Sequence, residues 1–408
     1  MGHISYLKSR EILFQNLPSR KGTERVTIPE ALGRVLGEDI VAPYDNPYHP
    51  TASMDGYAIR FEEMGEPLKI VGENPAGRFD LTSLPPKSAI KTFTGSFMPE
   101  GSDTLVPFEN VEVEGDILKV KEPVPKGFSV RPVGEDFKKG EVVIPAGTLI
   151  KEGEIGVMAS LGKGVVSVVR KPKIGVLATG EELVDLDEPF KVGEIRSSNN
   201  YTLTALGRRL GFITANLGLV TDDPEEIERR ILESLGEFDI VVTTGGVSVG
   251  DYDFVKKVGY KFEVLFHGVN IKPGQWVMVS KLTDQISGRE KFLVSLPGFP
   301  YSSFVTFLLY VVPIAEALEG RKATMEITGR LVHRFEKRFK KYQFVAVNVT
   351  YKNGEFLVDT YRKKSGSSGI LTNLINCPGL MELPEGLYTL EAGTEVKLLL
   401  HTFPLPTS

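Results

Sequence analysis

A single cysteine in 408 residues excludes an intramolecular disulfide and a thiolate metal cage. That residue, Cys377, stands in Leu374-Ile375-Asn376-Cys377-Pro378 among apolar neighbours, which suits a buried structural thiol better than a nucleophile. Histidine is scarce too. The five histidines include no HExxH motif and no pair at ligand spacing, so zinc hydrolysis has no support. Excess charge of either sign is missing: a formal net charge of -5 with 25% charged residues argues against bulk nucleic-acid binding. Local basic clusters such as Lys337-Arg338 and Arg362-Lys363-Lys364 read as solvated faces. Long hydrophobic runs are absent as well. The longest, Phe304 to Ala315, contains Pro313 and is shorter than the roughly 20 residues of a spanning helix, so a core helix and no membrane partner are expected. Met1-Gly2-His3-Ile4-Ser5-Tyr6 lacks a basic region followed by an apolar stretch, and the cytoplasm is the expected location.

What is present changes grammar along the chain. At this length about three domains are expected. Residues 7–17 and 29–36 read as helices, and Pro43, Pro47 and Pro50 mark an extended linker. Residues 57–130 are short β-like runs separated by Gly and Pro, which predicts an all-β domain, and residues 137–170 are again strand-like. After Lys173 strands alternate with helices. Strands are expected at 174–178, 215–220, at Phe238, and at 263–267, 276–280 and 292–296, with helices at 201–210 and 301–318. Asp223-Pro224-Glu225-Glu226 predicts a helix start, with Asp223 as N-cap, Pro224 in the first turn and Glu226 closing a capping box. This alternation predicts a doubly wound α/β domain. Beyond Arg321 short strands return, as a small terminal β unit. The expected class is therefore α/β plus β, in several domains.

The most informative segment runs from Phe238 to Asp253. A β-branched apolar run, Ile240-Val241-Val242, feeds Thr243-Thr244-Gly245-Gly246-Val247-Ser248-Val249-Gly250, and two carboxylates, Asp251 and Asp253, follow. Glycines let backbone amides approach an anion, hydroxyls add donors, and a helix start offers unpaired N–H groups. The loop lacks the Lys of a Walker motif and the spacing of a dinucleotide fingerprint. It reads as an anion- or phosphate-binding loop at the carboxyl end of a parallel strand, where open α/β sheets bind ligands.

Further motifs punctuate the chain: Met54-Asp55-Gly56-Tyr57-Ala58, Thr94-Gly95-Ser96, Gly134-Glu135-Asp136, Thr179-Gly180-Glu181-Glu182-Leu183, Ile271-Lys272-Pro273-Gly274 and Leu296-Pro297-Gly298. Each alone is an ordinary turn or cap. In this order, with the Gly245–Gly250 loop, they resemble the molybdopterin molybdenumtransferase family over nearly the whole chain. The resemblance implies a split linker domain (residues 1–45 and 137–170) and an inserted β domain (46–136). It further implies an α/β molybdopterin-binding domain (171–322), a C-terminal β barrel (323–408) and a homodimer. It implies an enzyme that receives adenylated molybdopterin from a partner adenylyltransferase, releases AMP with Mg²⁺, and attaches molybdate.

By the same resemblance Asp55, Thr94 and Asp136 of one subunit would face Glu182, Asp253 and the glycine loop of the other, with Asp55, Asp136, Glu182 and Asp253 around the metal. Thr244, Gly245, Gly246, Val247, Ser248 and Gly250 would bind the pterin nucleotide, Lys272, Ser302 and Ser368 would line the oxyanion pocket, and Pro297 and Pro300 would set the rigid turn beside it. The chain departs from the family pattern at Ser197, Gln275, Phe299 and Ala346. At Gln275 and Ala346 the family carries a cation, so oxyanion affinity is expected to fall unless Lys340, Lys341 or Arg362 compensates. A paralogue inserting tungstate, a non-catalytic pterin carrier or scaffold, and a nucleotide pyrophosphatase confined to the α/β domain are the other functions compatible with these residues.

Overall fold

The apolar strands after Lys173 assemble into one six-stranded sheet. A computed structural model describes residues 3–18, 22–77, 83–247, 254–285, 288–364 and 367–403. Across the sheet the order is Ile213–Val220, Lys173–Thr179, Ile240–Thr244, Glu290–Leu296, Met278–Thr283 and Glu263–His267. The first four are parallel. The last two attach antiparallel. Every residue of Ile240–Thr244 is buried, as in a sheet covered on both faces. From the Lys173 strand the chain moves outward to Ile213, then returns across it to Ile240, so the winding reverses between the Lys173 and Ile240 strands. Their carboxyl ends therefore open a crevice.

The chain divides into two compact units, Met1–Glu24 with Val168–Ser408, and Arg25–Ser167. In the larger, the core joins Ile174, Val176, Val242, Phe292 and Val294 of the sheet to Phe307 and Tyr310 of a long helix. Helix Tyr6–Gln15 adds Tyr6 and Leu13 to this core, Ser9 Oγ meets Tyr310 OH at 2.9 Å, and Ser5 caps the helix by accepting from Lys8 N at 3.2 Å. Residues 1–24 thus count with the α/β sheet. Asp223 caps Pro224–Glu237 as expected, accepting from Glu225 N at 2.9 Å. Glu226 does not close a box; its carboxylate accepts from Thr221 Oγ1 at 3.4 Å instead.

The long helix begins α at Pro300–Thr306, widens to π over Phe307–Val311, and resumes as Val312–Glu319. Pro313 has no N–H to give and its ring would crowd the preceding turn, which a π segment relieves. At 20 residues it is long and apolar enough to cross a membrane, unlike the run Phe304–Ala315 alone, yet most of it is buried within the unit.

Beyond it, Tyr342–Lys352, Glu355–Asp359, Met325–Leu331, Glu395–Leu400 and Gly379–Leu383 pair in that order, and the last pairs back to the first. The result is a closed five-stranded barrel around Leu331, Val347, Val358, Met381 and Leu398. Its first strand also accepts the short strand Ile271–Lys272 in parallel. The smaller unit holds a second six-stranded sheet, ordered Thr104–Pro107, Gly56–Ile59, Ser88–Thr92, Leu68–Asn74, Ile117–Val120 and Val111–Glu114. Two expectations fail here. Residues 29–36 give only the 3₁₀ turn Ile28–Ala31, and helix Glu152–Ser160 forms where strands were expected. Gly153 and Gly156 hide that helix from propensity, while Glu154 marks it by accepting from Lys151 N at 2.8 Å.

The one strongly shifted histidine sits at the barrel's last strand. His401 is 5% exposed, accepts at Nδ1 from Arg209, and has no partner at Nε2 among the described residues. Burial, then the Arg209 charge, push its pKa from the ordinary 6.5 down to about 3. Below pH 6.5 the unfolded chain takes up a proton that the folded chain refuses until about pH 3, so stability is lost as pH falls across that window. Between pH 7 and 4 the loss is roughly 3 kcal/mol. Thermal melts should show the midpoint falling by about 5 °C more in the wild type than in His401→Gln. Parallel curves would remove this histidine as the cause.

Candidate active site

At the crevice the carboxyl ends of three parallel strands surround a cavity of about 400 Å³, walled by Thr179, Glu182, Ser197, Thr244, Gly245 and Trp276 among others. Gly245 and Gly246 take φ of 98° and 62°, a conformation open to glycine and costly for other residues. Space decides the first of them as well: a Cβ on Gly245 would lie 2.5 Å from the Thr179 carbonyl oxygen. Gly245 N donates to Leu296 O at 3.0 Å, tying the loop to the third strand. Val247 is buried, and its carbonyl meets His267 Nε2 at 3.0 Å. Pro297 and Pro300 line the same cavity, the latter as the first helical residue. Ser303 Oγ fastens this turn by donating to Pro297 O at 2.8 Å.

The hydroxyls of Ser197 and Thr244 are buried on this wall without a hydrogen-bond partner among the described residues. Thr243, Ser280 and Ser295 also bury hydroxyls without a partner, but Ser197 and Thr244 stand on a cavity wall, where a polar ligand or ordered water can reach them. Arg196 donates to Asp185 O and places its guanidinium 5.6 Å from the Phe190 ring centroid. Asn199 Nδ2 donates to Gly298 O at 2.8 Å, joining two walls. Glu182 is exposed and is the one carboxylate on the cavity wall among the described residues. Ser248, Gly250 and Asp253 lie outside the described residues.

Lys272 lies at the seam of α/β sheet and barrel, where its Nζ donates to Ser368 Oγ at 3.3 Å and stands 5.0 Å from the Phe339 ring centroid. Behind it a cavity of about 20 Å³ is lined by Lys272, Tyr301, Gln343 and Ala346. Ala346 is buried and carries no charge; its N–H donates to Tyr301 OH at 2.7 Å. Ser302 is also buried, in the first turn of the long helix, and lines neither cavity.

In the smaller unit Asp55 immediately precedes strand Gly56–Ile59, and Thr94 follows its neighbour Ser88–Thr92, with Gly56 opposite Thr92. Gly56 is needed because a Cβ there would lie 2.3 Å from Val106 O. Asp55 Oδ1 consequently accepts from both Thr94 N at 2.8 Å and Thr94 Oγ1 at 2.7 Å. Those bonds, the backbone one first, hold its carboxyl below the usual aspartate range. Oδ2 has no protein partner among the described residues. Asp136 is held separately, by Asn46 Nδ2 at 2.9 Å.

Residues 4–162 match the model of the MoeA N-terminal region (domain I and II), residues 175–317 a probable molybdopterin binding domain, and residues 328–401 the MoeA C-terminal region (domain IV). A molybdopterin molybdenumtransferase of Haemophilus influenzae is 35% identical over 319 residues, 77% of this chain and 78% of that one. The protein of that name from Nostoc is 31% identical over 95% of this chain and 91% of its own. The chain belongs to the molybdopterin molybdenumtransferase family. The fold agrees: the molybdopterin biosynthesis MoeA protein of Pyrococcus horikoshii superposes with a TM-score of 0.83 at 29% identity, covering 98% of this chain and 100% of that one.

Within this family fold, Ser197, Arg196, Asn199 and Trp276 are among the wall residues that sequence reasoning did not single out as binding groups. Trp276 had a usable signal. It is the only tryptophan and follows a Lys-Pro-Gly turn by two residues.

Proposed function

We propose that this chain binds adenylated molybdopterin in the 400 Å³ cavity, releases AMP, and transfers molybdate to the pterin dithiolene during molybdenum cofactor biosynthesis. The observation carrying this reading is the pairing of a two-glycine loop with the orphaned hydroxyls of Ser197 and Thr244 at a sheet switch point. Backbone N–H groups of Gly246 and Val247 and those hydroxyls orient the nucleotide phosphates, while Gly245 N–H ties the loop to Leu296. Trp276 gives a flat apolar wall for an aromatic ring. Asp55, steadied by Thr94, presents a free carboxylate oxygen to the reacting group. Asp136, Glu182 and Asp253 complete the acidic set.

A homodimer, in which Asp55, Thr94 and Asp136 serve the partner's cavity, belongs to this proposal, as does supply of substrate by a molybdopterin adenylyltransferase. Magnesium dependence belongs to it too. Among the described residues no three His, Cys, Asp or Glu side chains group closely enough for a metal, so Glu182 needs donors from beyond its own wall.

Purified protein given adenylated molybdopterin, molybdate and Mg²⁺ should release AMP, seen by chromatography, and yield loaded cofactor. Chelation with EDTA should stop release, and added Mg²⁺ should restore it. Tight pterin binding with no AMP at saturating substrates would replace the enzyme with a carrier. Tungstate in place of molybdate tests the metal preference.

A further inference from the structure

We infer that Lys341, held by Gln275, supplies a second ammonium beside Lys272 and that the two together bind a tetrahedral oxyanion at the seam between sheet and barrel. This inference rests on the molybdate-transfer reading above.

The pairing comes from backbone register. Strand Ile271–Lys272 lies parallel to the start of the barrel strand, with Ile271 opposite Tyr342 and Lys272 opposite Gln343. Lys341, the residue before that strand, is thereby brought to the turn that carries Gln275. Its Nζ donates to Gln275 Oε1, while Gln275 Nε2 meets His3 Nε2 at 3.1 Å. Both ends of the amide are engaged, so its oxygen is fixed toward Lys341. Lys272 is itself placed against Ser368 and the Phe339 ring.

The Lys272 charge reaches Lys341. Partial burial first, then the Lys272 charge, hold Lys341 below the ordinary lysine range. Among the described residues neither has a carboxylate within ion-pair distance. Like charges gathered without a counter-ion raise the free energy of the empty site, and an anion between them lowers it. The other nearby cations are differently placed, and Lys364, at the small cavity behind Lys272, is exposed. Lys363 Nζ donates to the Asn373 and Ile375 carbonyls at 3.0 and 2.6 Å. Arg362 is exposed beside the Tyr361 ring, and Lys340 is exposed.

The cavity behind Lys272 does not compete for the anion. Its 20 Å³ holds about one water, too little for a tetrahedral oxyanion even though Lys363 and Lys364 also stand on its wall. Volume excludes the oxyanion there, which leaves the solvent side of the two ammoniums.

The test is calorimetric titration of sodium molybdate into the full-length protein at neutral pH. A charge-assisted contact is worth enough that Lys341→Gln should weaken binding about tenfold or more. Lys341→Arg should restore most of it, and the exposed control Lys340→Gln should change nothing. Moving the charge gives the sharpest readout, because Lys341→Gln combined with Gln275→Lys should recover affinity that a purely structural defect could not. If the wild type binds molybdate and Lys341→Gln binds equally well while Lys272→Gln does not, Lys341 has no such role and the transferase reading stands. If the wild type binds no molybdate, the oxyanion site and the reading beneath it both fall.

Discussion

Replacing Gly245 by valine should weaken binding of the adenylated pterin by about a hundredfold or more while leaving the chain folded. Two independent costs meet at this residue. Its φ of 98° is one that a β-branched side chain does not tolerate. Its Cβ would stand 2.5 Å from the Thr179 carbonyl and 3.1 Å from Thr179 Oγ1. The neighbour is backbone of an adjacent parallel strand and cannot swing aside, so the loop must leave its place over the cavity. The damage stays local because the strand below, Ile240–Thr244, is buried throughout and keeps its pairing on both sides. Gly236→Ala is the matching control. That glycine lies in a helix with nothing within 4 Å of a Cβ, and alanine there should stabilise by roughly 0.5–1 kcal/mol. Equilibrium binding and thermal melts on both variants decide the matter. Unaltered pterin affinity in Gly245→Val would show that the loop does not cradle the substrate.

Asp55→Ala should lower AMP release by about a hundredfold or more with the melting midpoint almost unmoved. The side chain is exposed, so its removal opens no core cavity. What disappears is a carboxylate that two bonds from Thr94 orient and keep ionised. Asp55→Asn retains the Oδ1 acceptor without the charge and should be nearly as impaired; full activity in that variant would mean that charge is not what Asp55 contributes. The dimer gives a second readout. If Asp55 serves the partner's cavity, mixing inactive Asp55→Ala with inactive Glu182→Ala protein should regenerate a fraction of intact sites and restore measurable release. No recovery after subunit exchange would put both residues in the same chain's site.

Several elements were legible because a local signal determined them. Asp223 and Pro224 start a helix wherever the following residues permit one, and this pair does so. Strands Glu263–His267 and Glu395–Leu400 fall where their β-branched and apolar alternation puts them. Helix Glu152–Ser160 was hidden because its two glycines lower helix propensity, and packing overrode that preference. Glu226 meets Thr221 Oγ1 and not the Asp223 N–H, and a partner outside the four-residue motif is invisible in it.

The proposed site divides in the same way. Asp55, Thr94, Glu182 and the Gly245–Gly246 turn were visible as motifs, since each depends on its own short segment. Lys341 was one of three interchangeable cations until the register of Ile271–Lys272 against the barrel brought it to Gln275. Arg196, Asn199 and Trp276 entered the cavity wall only when three strands and their loops closed around it. Sequence by itself determined the class of most segments, the family and the glycines that no side chain could replace, because backbone conformation and hydrophobic alternation act within a few residues. Only tertiary structure decided which charges meet, since residues 69 positions apart in the chain, such as Lys272 and Lys341, interact through a sheet register that neither of them encodes alone.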